Sequence, residues 1–247
     1  MKMYSRLMLV LLLLILVGSQ VEADPPPENG KHVIYYGNGQ KKLEGNYKSG
    51  KKDGLSTEWH GNGQKWVERH YKDGKRDGLW TFWRKNGQKK GEAHFKNDEQ
   101  DGLETWWREN GRKEREWHYK NGKKDGLFTE WYENGQKKAE ANFKNDKLVS
   151  ASAWKPDGEP CPITKVVDGS GIFVTYYGNG KKSSETHQKN DKRDGLQTWW
   201  YENGQKYHEE HWQNGKKDGL FVEWDKNGNK TKEIQYKDGK EISRKEF

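Results

Sequence analysis

The segment Tyr71-Lys72-Asp73-Gly74-Lys75-Arg76-Asp77-Gly78-Leu79-Trp80-Thr81-Phe82-Trp83, closed by Asn86-Gly87, decides the fold. Leu79-x-Thr81-x-Trp83 alternates with a period of two, and β-branched and aromatic residues suit a pleated surface, so this part reads as a strand. Alternation sends Leu, Thr and Trp to one face. The Asn-Gly dipeptide suits a two-residue type I′ turn, whose central residues both need positive φ. A return segment then runs to Phe95. The unit is therefore a β-hairpin, and the Asx- and Gly-rich stretch Lys72–Gly78 is the connection between hairpins.

Outward from this unit the chain repeats itself. Asp-Gly-Leu recurs at 53–55, 77–79, 101–103, 125–127, 194–196 and 218–220. The turn glycine recurs at Gly39, Gly63, Gly87, Gly111, Gly135, Gly158, Gly180, Gly204 and Gly228, which makes nine units. Repetition at such a period signals an array in which each unit packs mainly on its neighbours. Two units, at about 149–180, are degenerate, yet both keep the ring at the end of the first strand. That column runs Tyr35, Trp59, Trp83, Trp107, Trp131, Trp154, Tyr176, Trp200 and Trp224, and it is read as the structural core. The expected fold class is all-β: an elongated, twisted antiparallel sheet of about nine repeated hairpins. At roughly 4.8 Å per strand, some 18 strands extend on the order of 80–85 Å. The repeat domain occupies 29–247 after a short proline-rich linker, 24–28.

Composition narrows the classes. The 247 residues hold 46 Lys+Arg and 38 Asp+Glu, a net charge of +8, and only 30% are hydrophobic. A conventional α/β enzyme core is not supported by such a polar chain. Disorder is opposed by the 13 Trp, 12 Tyr and 7 Phe, since each ring hides about 150–250 Å². Lys2 and Arg6 precede an apolar run, Leu7–Gly18, and Val21-x-Ala23 precedes Asp24-Pro25-Pro26-Pro27. This reads as a helical signal peptide over 1–23, cut after Ala23, with an uncleaved anchor as the alternative. The expected location is secreted or periplasmic. Cys161 is the single cysteine, so no intramolecular disulfide can form.

The unit Tyr71–Gly87 resembles the MORN-repeat variant, and also the repeats of YwqK-type antitoxin proteins. The resemblance covers essentially all of 29–240. It implies a hairpin array serving as a binding or structural module, with an antitoxin role attached to some relatives.

His70, His94, His118, His187 and His211 share one repeat position, each two residues after a Glu. Equivalent residues two strands apart lie about 9–10 Å from one another, too far for a shared zinc ion with ligands at about 2 Å. Asn97-x-Glu99-x-Asp101-Gly102 starts like a calcium loop, but its twelfth position is Arg108 where a bidentate Glu is required. Neither a Walker pattern nor a Gly-x-Ser-x-Gly elbow is present. The expectation is a non-enzymatic protein without cofactor or metal. Lys41, Lys65, Lys89, Lys113, Lys137, Lys182, Lys206 and Lys230 hold one position, and Glu44, Glu68, Glu92, Glu116, Glu140, Glu185, Glu209 and Glu233 another, which suits a solvated face of cross-strand pairs. Opposite the Leu-Thr-Trp face, the repeat carries Trp80, Phe82, Trp106, Phe128, Trp199 and Phe221. If open, these rings form a ligand-binding face; if the ribbon coils, they are further core. The expected partner is a protein or cell-envelope component, with anionic lipid or polysaccharide and an antitoxin role as alternatives, and no nucleic acid.

Overall fold

The computed structural model describes residues 25–247. The expected signal-peptide helix over 1–23 and its cut after Ala23 lie outside the described residues. Among those residues there are strands and no helix. They are β1 (Gly30–Tyr35), β2 (Lys41–Lys48), β3 (Lys51–Trp59), β4 (Lys65–Lys72), β5 (Lys75–Trp83), β6 (Lys89–Lys96), β7 (Glu99–Trp107), β8 (Lys113–Lys120), β9 (Lys123–Trp131) and β10 (Lys137–Lys144), followed by β11 (Lys147–Ala153), β12 (Lys165–Val167), β13 (Ser170–Tyr176), β14 (Lys182–Lys189), β15 (Lys192–Arg193), β16 (Gly195–Trp200), β17 (Lys206–Gln213), β18 (Lys216–Trp224), β19 (Lys230–Lys237) and β20 (Lys240–Glu246). All belong to one elongated antiparallel sheet in which each strand pairs with its sequence neighbours. β15 and β16 are two pieces of one rung, both paired with β14, and β20 adds a rung beyond the ninth unit.

The turns differ from the expectation. At Asn62-Gly63, His60 N–H donates to the Gln64 carbonyl and Gly63 N–H to the His60 carbonyl, at 2.8 and 2.9 Å. Only Gly63 has positive φ, so this is a three-residue loop: a type I turn closed by a left-handed glycine. The two-residue turn lies instead between units, where Asp73 and Gly74 both have positive φ, 52° and 84°. Lys75 already begins β5, which makes Asp77-Gly78 a bulge inside the strand and not a loop.

A second bulge sets the faces. Glu58 pairs with Val67 and Trp59 with Lys65, leaving Trp66 as an extra residue on β4. Lys65 and Glu68, three apart and on opposite faces of a regular strand, are thereby brought onto one face and form an ion pair. Seven further Lys–Glu pairs repeat this at 2.5 to 3.2 Å. Lysine ammoniums from this column lie 4.9 to 5.7 Å from the ring centroid of the next unit's Trp, a cation–π arrangement.

Full burial belongs mostly to short residues between the rings. On the Trp–Lys face these are Thr57, Thr81, Thr105, Thr129 and Thr198; on the other face they include Ser56, Val67, Ala93, Ala139 and Ala141. Of the aromatic column only Tyr176 is fully buried, while Tyr35 is 58% exposed. Both edges are stitched by side chains. Asn38, Asn62, Asn134, Asn179 and Asn203 donate to carbonyls in the next unit's loop at 2.7 to 3.0 Å. The bulge carboxylates of Asp53, Asp77, Asp101, Asp125, Asp194 and Asp218 accept the N–H of the turn residue 20 positions on.

The degenerate units break the ladder. β11 and β12 share only two residue pairs, and between them 154–164 is non-strand apart from the bridge Trp154↔Pro160. There Tyr132, Ala153, Cys161, Val174 and Tyr176 form a buried cluster, beside a second one of Ala141, Ala151 and Val166.

Candidate functional site

The six rings opposite the Trp–Lys face do not form one surface. They fall into three groups along the array, Trp80 with Phe82 and Trp106, Phe128, and Trp199 with Phe221, and the surroundings of individual rings differ. Trp80 lies 4.8 Å from Phe95, with the Arg69 and Arg76 guanidiniums 5.1 and 5.7 Å from its centroid. Its face is occupied by the protein's own cations. Phe128 packs on Trp117 at 4.0 Å, and Trp117 in turn carries the Lys124 ammonium at 3.8 Å. Trp199 stacks on His208 at 4.3 Å, with Phe221 5.6 Å from the same imidazole. Burial holds the His208 imidazole below its usual basicity, because the charged form loses solvation there.

Phe82 and Trp106 are arranged otherwise. Their rings stack across β6 at 5.7 Å with an interplanar angle of 17°, with the Arg115 guanidinium 5.8 Å from the Trp106 centroid and the indole N–H donated to Glu104. Between them stands Gly91, which pairs with both residues. A Cβ at Gly91 would lie 2.6 Å from the indole of Trp106, so only the absence of a side chain lets that ring lie flat on the strand. Trp66, the bulge residue of β4, is 46% exposed, with His60 at 6.2 Å. These residues line an open cleft of about 400 Å³ together with Trp83, Arg84, Lys85, Asn86, Lys90 and Glu109. Arg84 is anchored by donating to the Trp107 carbonyl at 2.6 Å, which leaves its other amino group 4.0 Å from Glu109.

The histidine column has a different task. Nδ1 of His70, His94, His118 and His211 lies 2.8 to 3.1 Å from the carbonyl of Leu79, Leu103, Leu127 and Leu220. A carbonyl only accepts, so each ring carries its proton on Nδ1 and latches the bulge of the following strand. Among the described residues, no group of three or more His, Cys, Asp or Glu is placed to hold a metal ion. Cys161 lies buried with Sγ 3.2 Å from the Tyr176 hydroxyl. Burial, with that contact, pushes the Tyr176 hydroxyl up to about 12.

Trp66, Gly91, Arg84 and Lys90 escaped the sequence reading as functional residues. A signal existed: the position of Trp66 holds Lys42, Lys90, Glu114, Lys138, Ser183 and Thr231 in other units, and only Tyr207 shares its aromatic character. The position of Gly91 holds Val67, Arg115 and Ala139.

The sequence profile described as MORN repeat variant matches residues 28–49, 52–73, 76–97, 100–121, 124–145, 193–214 and 217–238. No curated protein matches the chain.

Proposed function

The chain belongs to the MORN-repeat variant family, and on that premise we propose that it is an exported, non-catalytic scaffold binding a component of the cell envelope. One observation carries this reading. The sheet is a single elongated layer whose aromatic groups are only partly covered by their own chain, so both long faces stay accessible to a partner. A layer of this kind offers contact area without an enclosed reaction site. Half-covered rings beside cations and carboxylates are the groups from which interface hot spots are built. The leader composition around Lys2, Arg6 and Leu7–Gly18 supports export.

Fractionation of the producing cell, with N-terminal sequencing of the exported form, tests the first half; material retained in the cytoplasm with Met1 intact refutes it. Capture from washed envelope fractions tests the second. A component retained by the native chain, and lost when Trp199→Ala and Phe221→Ala or Trp66→Ala and Trp106→Ala are introduced, supports the reading. A chain that retains nothing from envelope fractions overturns it.

A further inference from the structure

The geometry points to the cleft over Phe82 and Trp106 as a subsite for a ring of an acidic polysaccharide; this deepens the envelope-binding reading and rests on it. One repeat position sets this cleft apart. In the fifth unit Lys138 reaches Glu130 on the preceding strand at 2.8 Å. In the third unit the equivalent lysine is Lys90, and the residue standing where Glu130 stands is Phe82. The exchange of a carboxylate for a phenyl ring does two things at once. It lays down half of an aromatic floor, and it removes the acid that would neutralise Lys90. Trp106 supplies the other half, its indole lying against Gly91 with its plane 17° from that of Phe82.

The rim matches this floor. Arg84, Lys85 and Lys90 bring three positive charges to the cleft and Glu109 one negative charge. Among the described residues, neither Lys85 nor Lys90 is in an ion pair, and Arg84 is oriented by its bond to the Trp107 carbonyl. Asn86 adds an amide at the same rim. An aromatic floor accepts the C–H face of a pyranose ring, while donors around its margin suit hydroxyl and carboxylate oxygens. The cleft is open and carries cations at its rim, a poor match for an acyl chain, which needs an enclosed apolar slot. The corresponding region of the eighth unit sharpens the assignment. There Tyr207 stands in the position of Lys90, and His208 in that of Gly91, stacked on Trp199. Glu223 stands where Trp106 stands, so the second ring of the floor and the free lysine are both absent, and Trp199 is covered by imidazole. Among the described residues, only the cleft in the second to fourth units combines the paired rings of Phe82 and Trp106 with a cationic rim.

The test is equilibrium binding of the full mature chain to a polyuronate, with a neutral glucan and anionic phospholipid vesicles in parallel arms. Expected is binding to the polyuronate that weakens as salt rises, because exposed charges are screened within about 8–10 Å at 0.1–0.15 M. Trp66→Ala, an exposed position that leaves folding intact, should weaken it at least about fivefold. Lys85→Glu with Lys90→Glu should weaken it further and flatten the salt dependence, whereas Tyr207→Ala should leave it unchanged. Equal binding of the neutral glucan, preference for the vesicles, or indifference to Trp66→Ala and to the lysine variants overturns the assignment. If envelope capture persists while polyuronate binding is absent, the subsite fails and the scaffold reading stands. If neither is seen, both fail.

Discussion

The regular units and the degenerate stretch between β10 and β14 solve the same problem by different means. In the regular units, stability is distributed over many small, identical contacts. Each bulge Asp holds the next turn, each His latches the next bulge, and each Lys bridges a Glu and the next Trp. Few large side chains there are fully enclosed, Gln197, Val67 and Ile234 among them, since a single layer has no second layer to enclose more. In the degenerate stretch those devices are lost with Asp-Gly-Leu, and the chain builds a local core in their place. The segment 154–164 is held there by Thr164 Oγ1, which accepts from Val174 N–H at 2.9 Å and donates to the Val174 carbonyl at 3.2 Å. The family profile matches on either side of this stretch but not across 146–192. A repeat can thus erode where conventional packing takes over its load, because burial of Val174, Tyr176 and Ala153 is non-directional and needs no repeated register.

The contrast can be broken most severely at glycine. Gly171 has φ +138°, and a Cβ there would lie 1.9 Å from the Lys165 carbonyl oxygen. Gly171→Ala should therefore cost at least about 3 kcal/mol in urea unfolding followed by Trp fluorescence. Gly87→Ala, in a regular loop where the Cβ meets only the end of the Gln64 side chain, should cost about 1 kcal/mol. Equal losses would remove the distinction between a packed core and a compliant array.

Valine truncation comes next. Val174 is 0% and Val67 1% exposed, so area alone predicts equal costs. Val174→Ala should nevertheless lose about 2 kcal/mol and Val67→Ala about 1, because Phe82, the half-exposed ring opposite Val67, can settle into the vacancy. Smaller still, His94→Ala removes one latch and should cost about 0.5–1.5 kcal/mol. Hydrogen exchange should quicken in β6 and β7 while β18 and β19 are unaffected, as expected for nearest-neighbour coupling.

The weakest effect is one of pH. His208 titrates lower when folded than when unfolded, so the unfolded chain binds the additional proton as pH falls. Stability should decline as pH drops through the unfolded value, about 6.5. His208→Gln should shrink the fall in urea midpoint between pH 7.5 and 5, and a fall that survives intact would place its origin elsewhere.

Much of the fold was legible because period-two alternation, the 24-residue repeat and the turn residues are local signals. The assignment of turn types was not. Asn62-Gly63 and Asp73-Gly74 are both good type I′ dipeptides, and the choice depends on how many residues the flanking ladders leave over. The faces were legible only in part, since alternation places Leu, Thr and Trp together but cannot foresee the bulge at Trp66. The candidate face Trp80, Phe82, Trp106, Phe128, Trp199 and Phe221 was visible as a list. That Arg69 and Arg76 crowd Trp80 while Phe82 and Trp106 stack over Gly91 at the floor of a cleft depends on residues of neighbouring strands.

The sequence alone determined a chain of hairpins carrying rings at a fixed beat, because strand propensity and turn chemistry act over a few residues. Tertiary structure alone decided that Lys65 and Glu68 share a face, that a core forms around Val174, and that Phe82, Gly91, Trp106 and Lys90 meet. Register is a relation between strands, and one extra residue on either strand inverts the face of everything beyond it.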